Sequence, residues 1–206
     1  MRYWTPEDIF DVECPFCGRE IEFWKDEPVR LCTGCGVQIR NPRIDLGCAK
    51  WCKSAKECLG TLAEEHVAAA PLIERVRAQL TAAWGDNEPE RIRTAESVHA
   101  VADTLLSAEG GDPCVVKIAA LLAGAGCEDV EPFLVTSGME EERRRAVGDV
   151  VLKALHRLQP TTPEGAIVQD ALRLARHRGA VSASPAETTS FLTRSAQLLA
   201  QRPGRS

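Results

Sequence analysis

The sequence predicts a mainly α protein, with a small N-terminal β module followed by an all-helical domain. Three observations carry this. Residues 1–47 hold short alternating runs between turn residues. Four cysteines fall there in two C-x-x-C pairs. From about Thr61 the apolar spacing changes to the helical period. The boundaries follow as a ribbon over 1–47, a cysteine-containing linker and helix over 48–70, a helical domain over 71–201 and a frayed tail over 202–206.

In the β part, Glu20-Ile21-Glu22-Phe23-Trp24 alternates as a half-buried strand would, and Val37-Gln38-Ile39-Arg40 does the same until Asn41-Pro42 ends it. In the helical part, Pro71 fits the first turn of a helix running to about Trp84 and closed by Gly85. Pro89 opens the next, with Ile92, Ala95, Val98, Ala102, Leu105 and Leu106 on one face and Gly110-Gly111 as the break. Asp112 then caps a helix with Pro113 at its first position, and CVVKIAALLAGAG is apolar on nearly every side, as a central buried helix should be. Further helices are expected over about Met139–Leu158, Pro163–His177 and Pro185–Gln201. Val147, Val150, Val151, Ala154 and Leu158 form the inward stripe of the first of these.

Hydrophobic and charged contents of 44% and 27% are those of a globular chain, not a disordered one. The first 60 residues carry nine basic against ten acidic side chains, and the remainder 16 against 20. Neither part has the basic excess that phosphate neutralisation needs, so nucleic acid is disfavoured. The start lacks a basic region followed by an apolar run, and Val115–Ala125 is too short to span a bilayer. No membrane partner and a cytoplasmic location are therefore expected. Nine cysteines in such a chain point to metal or thiol chemistry, not a disulfide framework.

Cys14-Pro-Phe-Cys17-Gly18 and Cys32-Thr-Gly-Cys35-Gly36 each place two thiolates on one tight turn, and the following glycine lets the backbone curl around an ion. Two such knuckles joined by a hairpin supply a closed tetrahedral S4 shell, which reads as a zinc ribbon with a structural Zn2+ bound by Cys14, Cys17, Cys32 and Cys35. A second group, Cys48, Cys52 and Cys58, places two thiols at i and i+4 and a third within folding-back distance. It either begins a second zinc site, with His66 the nearest fourth ligand, or holds an iron–sulfur cluster, or consists of small buried hydrophobes. Cys114 and Cys127 flank the buried helix and read as packed thiols.

From about Arg91 to about Ala200 the chain resembles the HD superfamily of metal-dependent phosphohydrolases. The segments that carry the likeness are RIRTAESVHAVADTLL, GGDPCVVKIAALLAGAG and FLTRSAQLLAQR. The ribbon and DLGCAKWCKSAKECLG also resemble the front end of a group of bacterial HD-domain proteins. The resemblance implies an HD-like helical fold whose metal would be held by an H…HD…D set. In the matching positions stand Thr94, Ala123 and Gly124, with Asp170 loosely matching the last Asp. Methyl groups and hydrogens hold no cation, so no catalytic residues are expected there. The function implied is a non-catalytic binding or regulatory protein, its partner another protein or a small phosphorylated ligand. The alternative is a phosphohydrolase with a rearranged site using His99, His156 and Asp170. A third reading gives Cys48, Cys52 and Cys58 a redox role.

Overall fold

Alternating residues 9–40 fold as two antiparallel hairpins. In the computed structural model, residues 5–44, 52–59, 69–177 and 191–202 are described. The chain divides into two compact units, Met1–Val67 and Ala68–Ser206.

In the first unit, β1 (Ile9–Glu13) pairs with β2 (Glu20–Trp24) in the register Ile9↔Trp24 to Glu13↔Glu20. Strand β3 (Val29–Leu31) pairs with β4 (Gln38–Arg40), Val29 opposite Arg40. The sequence reading missed β1, where the adjacent apolar pair Ile9-Phe10 breaks the alternation, and β3, whose three residues are too few to show one. The period of two sends Ile21 and Phe23 inward from β2 and Ile39 inward from β4, and all three are buried. Phe10 stacks on Phe23 with ring centroids 6.3 Å apart, and the Arg43 guanidinium lies 4.1 Å from the Phe10 centroid. A short helix, α1 (Ala55–Leu59), lies in the stretch expected to hold a linker and helix.

Every described element of the second unit is a helix. Its elements are α2 (Ala70–Trp84), α3 (Pro89–Glu109), α4 (Pro113–Gly124), α5 (Glu131–Ser137), α6 (Glu141–Leu155), α7 (Pro163–His177) and α8 (Arg194–Gln201). Helix α4 is the centre: nine of its 12 residues are buried. A Leu such as Leu121 or Leu122, fully buried there, contributes roughly 1.5–3 kcal/mol of transfer free energy. Its start is fixed by Asp112, whose carboxylate accepts from the Cys114 and Val115 N–H groups at 2.8 and 3.3 Å. Arg143 holds the other oxygen of that carboxylate at 3.2 Å. Ala95, Val98, Ala102, Leu105 and Leu106 of α3 are buried as expected. Ile92 is only half-buried, and Val101 joins the inward face in its place.

Three expectations need correction. Helix α5 was not foreseen; seven residues with Pro132 near the start give too few turns for a visible period. Helix α6 ends at Leu155, and Leu158, expected in the inward stripe, is 51% exposed beyond the helix end. The last helix begins at Arg194, because Thr193 caps it by accepting from the Ala196 N–H. Pro185, its expected start, lies outside the described residues. The acid-then-base run Glu140–Arg145 at the start of α6 pairs both within the helix and outside it. Arg145 meets Glu141, while Arg143 and Arg144 reach Asp112 and Glu131 on neighbouring elements.

Among the described residues, no helix is long and apolar enough to cross a membrane.

His99 of α3 is half-buried, and its Nε2 has no hydrogen-bond partner. Burial, with the Arg77 charge behind it, holds its pKa below the ordinary 6.5. Around it stand Arg77, which is bound to Glu96 at 2.6 Å, and Lys117, which is bound to Asp103 at 2.8 Å. A lowered folded-state pKa means that the unfolded chain binds more protons in acid, so stability falls as pH drops below about 6.5. Thermal unfolding from pH 7.5 to 5.0 is therefore expected to show a decline that His99→Leu flattens. An unchanged slope in that variant would remove His99 as the cause.

Candidate functional site

Each C-x-x-C turn sits at the tip of its own hairpin. The expectation of two knuckles joined by a hairpin is corrected to two hairpins, each ending in a knuckle. The two are built alike. The Cys14 N–H donates to the Arg19 carbonyl and the Cys32 N–H to the Val37 carbonyl, at 2.8 and 2.9 Å. The Gly18 N–H returns to the Cys14 carbonyl and the Gly36 N–H to the Cys32 carbonyl. Gly18 and Gly36 hold φ of +78° and +73°, where a side chain is strained, which is why glycine follows each pair.

This doubled geometry brings four sulfurs together. All four Sγ atoms of Cys14, Cys17, Cys32 and Cys35 lie within 4.8 Å of one another. Cys14 and Cys35 are 3.7 Å apart and Cys17 and Cys32 3.5 Å. An ion held tetrahedrally by thiolates at about 2.3 Å requires edges of about 3.8 Å, so the residues fit a metal such as zinc. Burial pushes the Cys14 thiol up to about 12 and raises Cys35 as well. At Cys32 burial is outweighed by the Cys35 and Gly34 N–H groups and the neighbouring thiols, which bring it down to about 7. Gly34 lies tight against the cluster: a Cβ there would stand 3.0 Å from the Cys17 sulfur.

A residue that sequence reasoning took only as a strand terminator supports this module. Asn41 is buried, and its amide nitrogen donates to the Trp24 and Glu27 carbonyls, both at 2.9 Å, while its oxygen accepts from the Arg43 N–H at 2.8 Å. It thereby ties the β2–β3 connection to the end of β4. An Asn before a Pro was the visible signal; its long-range partners were not visible.

The second cysteine group is not assembled within the described residues. Cys48 and His66 lie outside them, and so does the side chain of Cys58. Cys52 is half-buried and packs with Val29 and Ile44 against Ala55 and Leu59. Among the described residues, the four ribbon cysteines form the only group of His, Cys, Asp or Glu suited to an ion. Cys114 and Cys127 are buried. Burial pushes Cys114 up to about 11, and the Cys127 thiol donates to the Asp129 carbonyl at 3.1 Å.

In the helical unit, Thr94, Ala123 and Gly124 line one cleft of about 560 Å³ formed by α3, α4, α6 and α7. The packing explains why position 124 is glycine. A Cβ there would lie 2.8 Å from the Ala95 Cα and 3.0 Å from the Val98 Cβ. Arg91 closes the end of α4, donating to the Ala125 carbonyl at 2.8 Å with its guanidinium 3.9 Å from the Trp84 ring centroid.

His99, His156 and Asp170 do not converge on this cleft, and none of them lines it. His99 stands near Arg77 and Lys117, whose charges act on it. His156 is exposed at the C-terminal end of α6. Asp170 is fully buried, but its carboxylate is committed. It accepts from the Leu192 N–H, the Thr193 N–H at 2.7 Å and the Thr193 hydroxyl at 2.9 Å, pinning the start of α8. Burial raises its pKa while those donors pull it down. The rearranged metal site expected as an alternative is therefore not assembled, because three helices point these side chains to three different tasks.

No family model, no curated protein and no solved structure matches the chain.

Proposed function

We propose that this is a non-catalytic binding or regulatory protein, in which a zinc ribbon accompanies a degenerate HD-like helical domain. The zinc is structural, since four sulfurs leave no open position for water. The helical cleft receives a ligand without transforming it. The observation that carries this is Gly124. At the position where the resemblance asks for a carboxylate, a side chain has no room, and its neighbours Thr94 and Ala123 offer no strong ligand. A cell compartment that keeps thiols reduced, the cytoplasm, suits four clustered free cysteines.

The test is a phosphatase assay on purified zinc-loaded protein, using nucleotides and p-nitrophenyl phosphate with added Mg2+, Mn2+ or Fe2+. Turnover no greater than in the metal-free control is expected, together with about one zinc per chain by elemental analysis. Metal-stimulated hydrolysis that scales with protein purity would overturn the reading.

A further inference from the structure

One sulfur of the ribbon is open to solvent and the other three are not. Cys14 and Cys32 are 0% and 1% exposed, and Cys35 is half-buried. Cys17 is exposed, alone among the described cysteines. Holding two hairpins together does not require an accessible sulfur, and the other three ligands show that this fold can shield one. Zinc keeps its sulfurs deprotonated, and the thiolate is the form that attacks electrophiles. An oxidant arriving from water therefore meets a ready nucleophile at Cys17 first. The resolving thiol is already in place: the Cys32 sulfur stands 3.5 Å away, on the other knuckle. Cys52 is half-buried, and Cys114 and Cys127 are buried, so these thiols are less accessible to the same oxidant.

We infer that Cys17 is an oxidation site for hydroperoxides, and that it closes a disulfide with Cys32 which releases the zinc. In the first step the Cys17 thiolate attacks the peroxide oxygen that bears hydrogen. An S–O bond forms and the O–O bond breaks. The departing alkoxide takes a proton from water to become an alcohol, and Cys17 is left as a sulfenic acid. The sulfur has lost two electrons and the peroxide has gained them. In the second step the Cys32 thiolate attacks the Cys17 sulfur. The S–S bond forms, the S–O bond breaks, and hydroxide takes a proton and leaves as water. Two of the four thiolates are then consumed, and Cys14 and Cys35 by themselves do not close a tetrahedral shell. Metal binding is what folds so small a module, so a reaction at one exposed sulfur reaches both hairpins. The inference rests on the proposed reading of a structural zinc in the ribbon, and adds a modification site to it.

The experiment treats the full-length protein, its zinc content measured beforehand, with excess hydrogen peroxide or tert-butyl hydroperoxide in the presence of a colorimetric zinc chelator. About one zinc per chain should be released, at least tenfold faster than in an untreated control. Early samples trapped with dimedone should carry the adduct on Cys17. Later samples should yield a peptide pair joined through Cys17 and Cys32 by mass spectrometry. A thiol reductant with added zinc should restore the metal content. Cys52→Ser, which removes the half-buried thiol of the same unit, should release zinc at the wild-type rate. Zinc that is released no faster with peroxide overturns the inference and leaves the structural zinc intact. So does a first adduct on another ribbon cysteine, or a disulfide that pairs Cys17 with a different thiol. A rate that falls in Cys52→Ser overturns it too, because oxidation would then begin elsewhere. Protein that holds no zinc before the oxidant is added overturns the structural-zinc reading, and this inference with it.

Discussion

Replacing Cys14 or Cys32 with serine is expected to unfold the N-terminal unit while the helical unit keeps its far-ultraviolet signal. The two-hairpin module has very little core: Phe16, Ile21, Phe23 and Ile39 are buried around the knuckles, with Ala55 and Leu59 on the short helix. A region this small does not offset its own chain entropy. Metal binding to such thiolate sets supplies about 10–16 kcal/mol, far more than any other single term available to the module. Losing one of four sulfurs opens the shell at a buried position and leaves a weaker hydroxyl in its place. The helical unit draws its stability from α4 and the helices packed on it, which contain none of the four sulfurs. Two readouts check this. Released zinc, followed with a colorimetric chelator, should approach about one per chain in the wild type under strong chelation and far less in the variants as purified. Limited proteolysis should cut residues 1–67 and spare the remainder. A variant that retains stoichiometric zinc and resists cleavage in the hairpins would remove the metal as the organising element.

Gly124→Asp should lower the stability of the helical unit by at least about 3 kcal/mol and should not create a metal site. The added Cβ would meet a backbone atom, the Ala95 Cα, at 2.8 Å, and backbone cannot swing aside as a long side chain can. Helices α3 and α4 would have to separate, and they are the two most central elements of the unit. The longer aspartate side chain would in addition press on Val98, whose Cβ and Cγ2 stand 3.0 and 3.2 Å from the added Cβ. Gly124→Ala isolates the steric part and should cost about 1–3 kcal/mol, the usual range for overpacking. Denaturant unfolding of both variants, with Mn2+ present and absent, checks the ordering. If the aspartate variant is as stable as wild type, or gains stability with Mn2+, the close approach of the two helices is not what holds glycine there.

These two results bear on different kinds of information. The four sulfurs were legible from C-x-x-C spacing, because a tetrahedral ion dictates ligand spacing locally and each knuckle is one turn. The Asp112 cap, the buried α4 and the bounds of α7 were legible for the same reason. Capping residues, proline at a first helical position and unbroken apolar runs act over a few neighbouring residues. Failures came where the signal was short or the partner distant. Strand β3 and helix α5 were too brief to show a period, β1 opens on two adjacent apolar residues that break its alternation, and Leu158 kept the stripe's spacing after its helix had ended.

The sequence by itself determined the metal-binding turns and most of the helical elements, since those depend on residues a few places apart. Only the tertiary structure decided the task of Asp170, which looks like a ligand in a linear reading and in space anchors the Leu192–Thr193 backbone that leads into α8. It alone decided that Asn41 ties together carbonyls 14 and 17 residues away, and that position 124 has no room for a side chain. The reason is that a side chain's chemistry is written in the chain, whereas its neighbours are chosen by how the helices and hairpins pack.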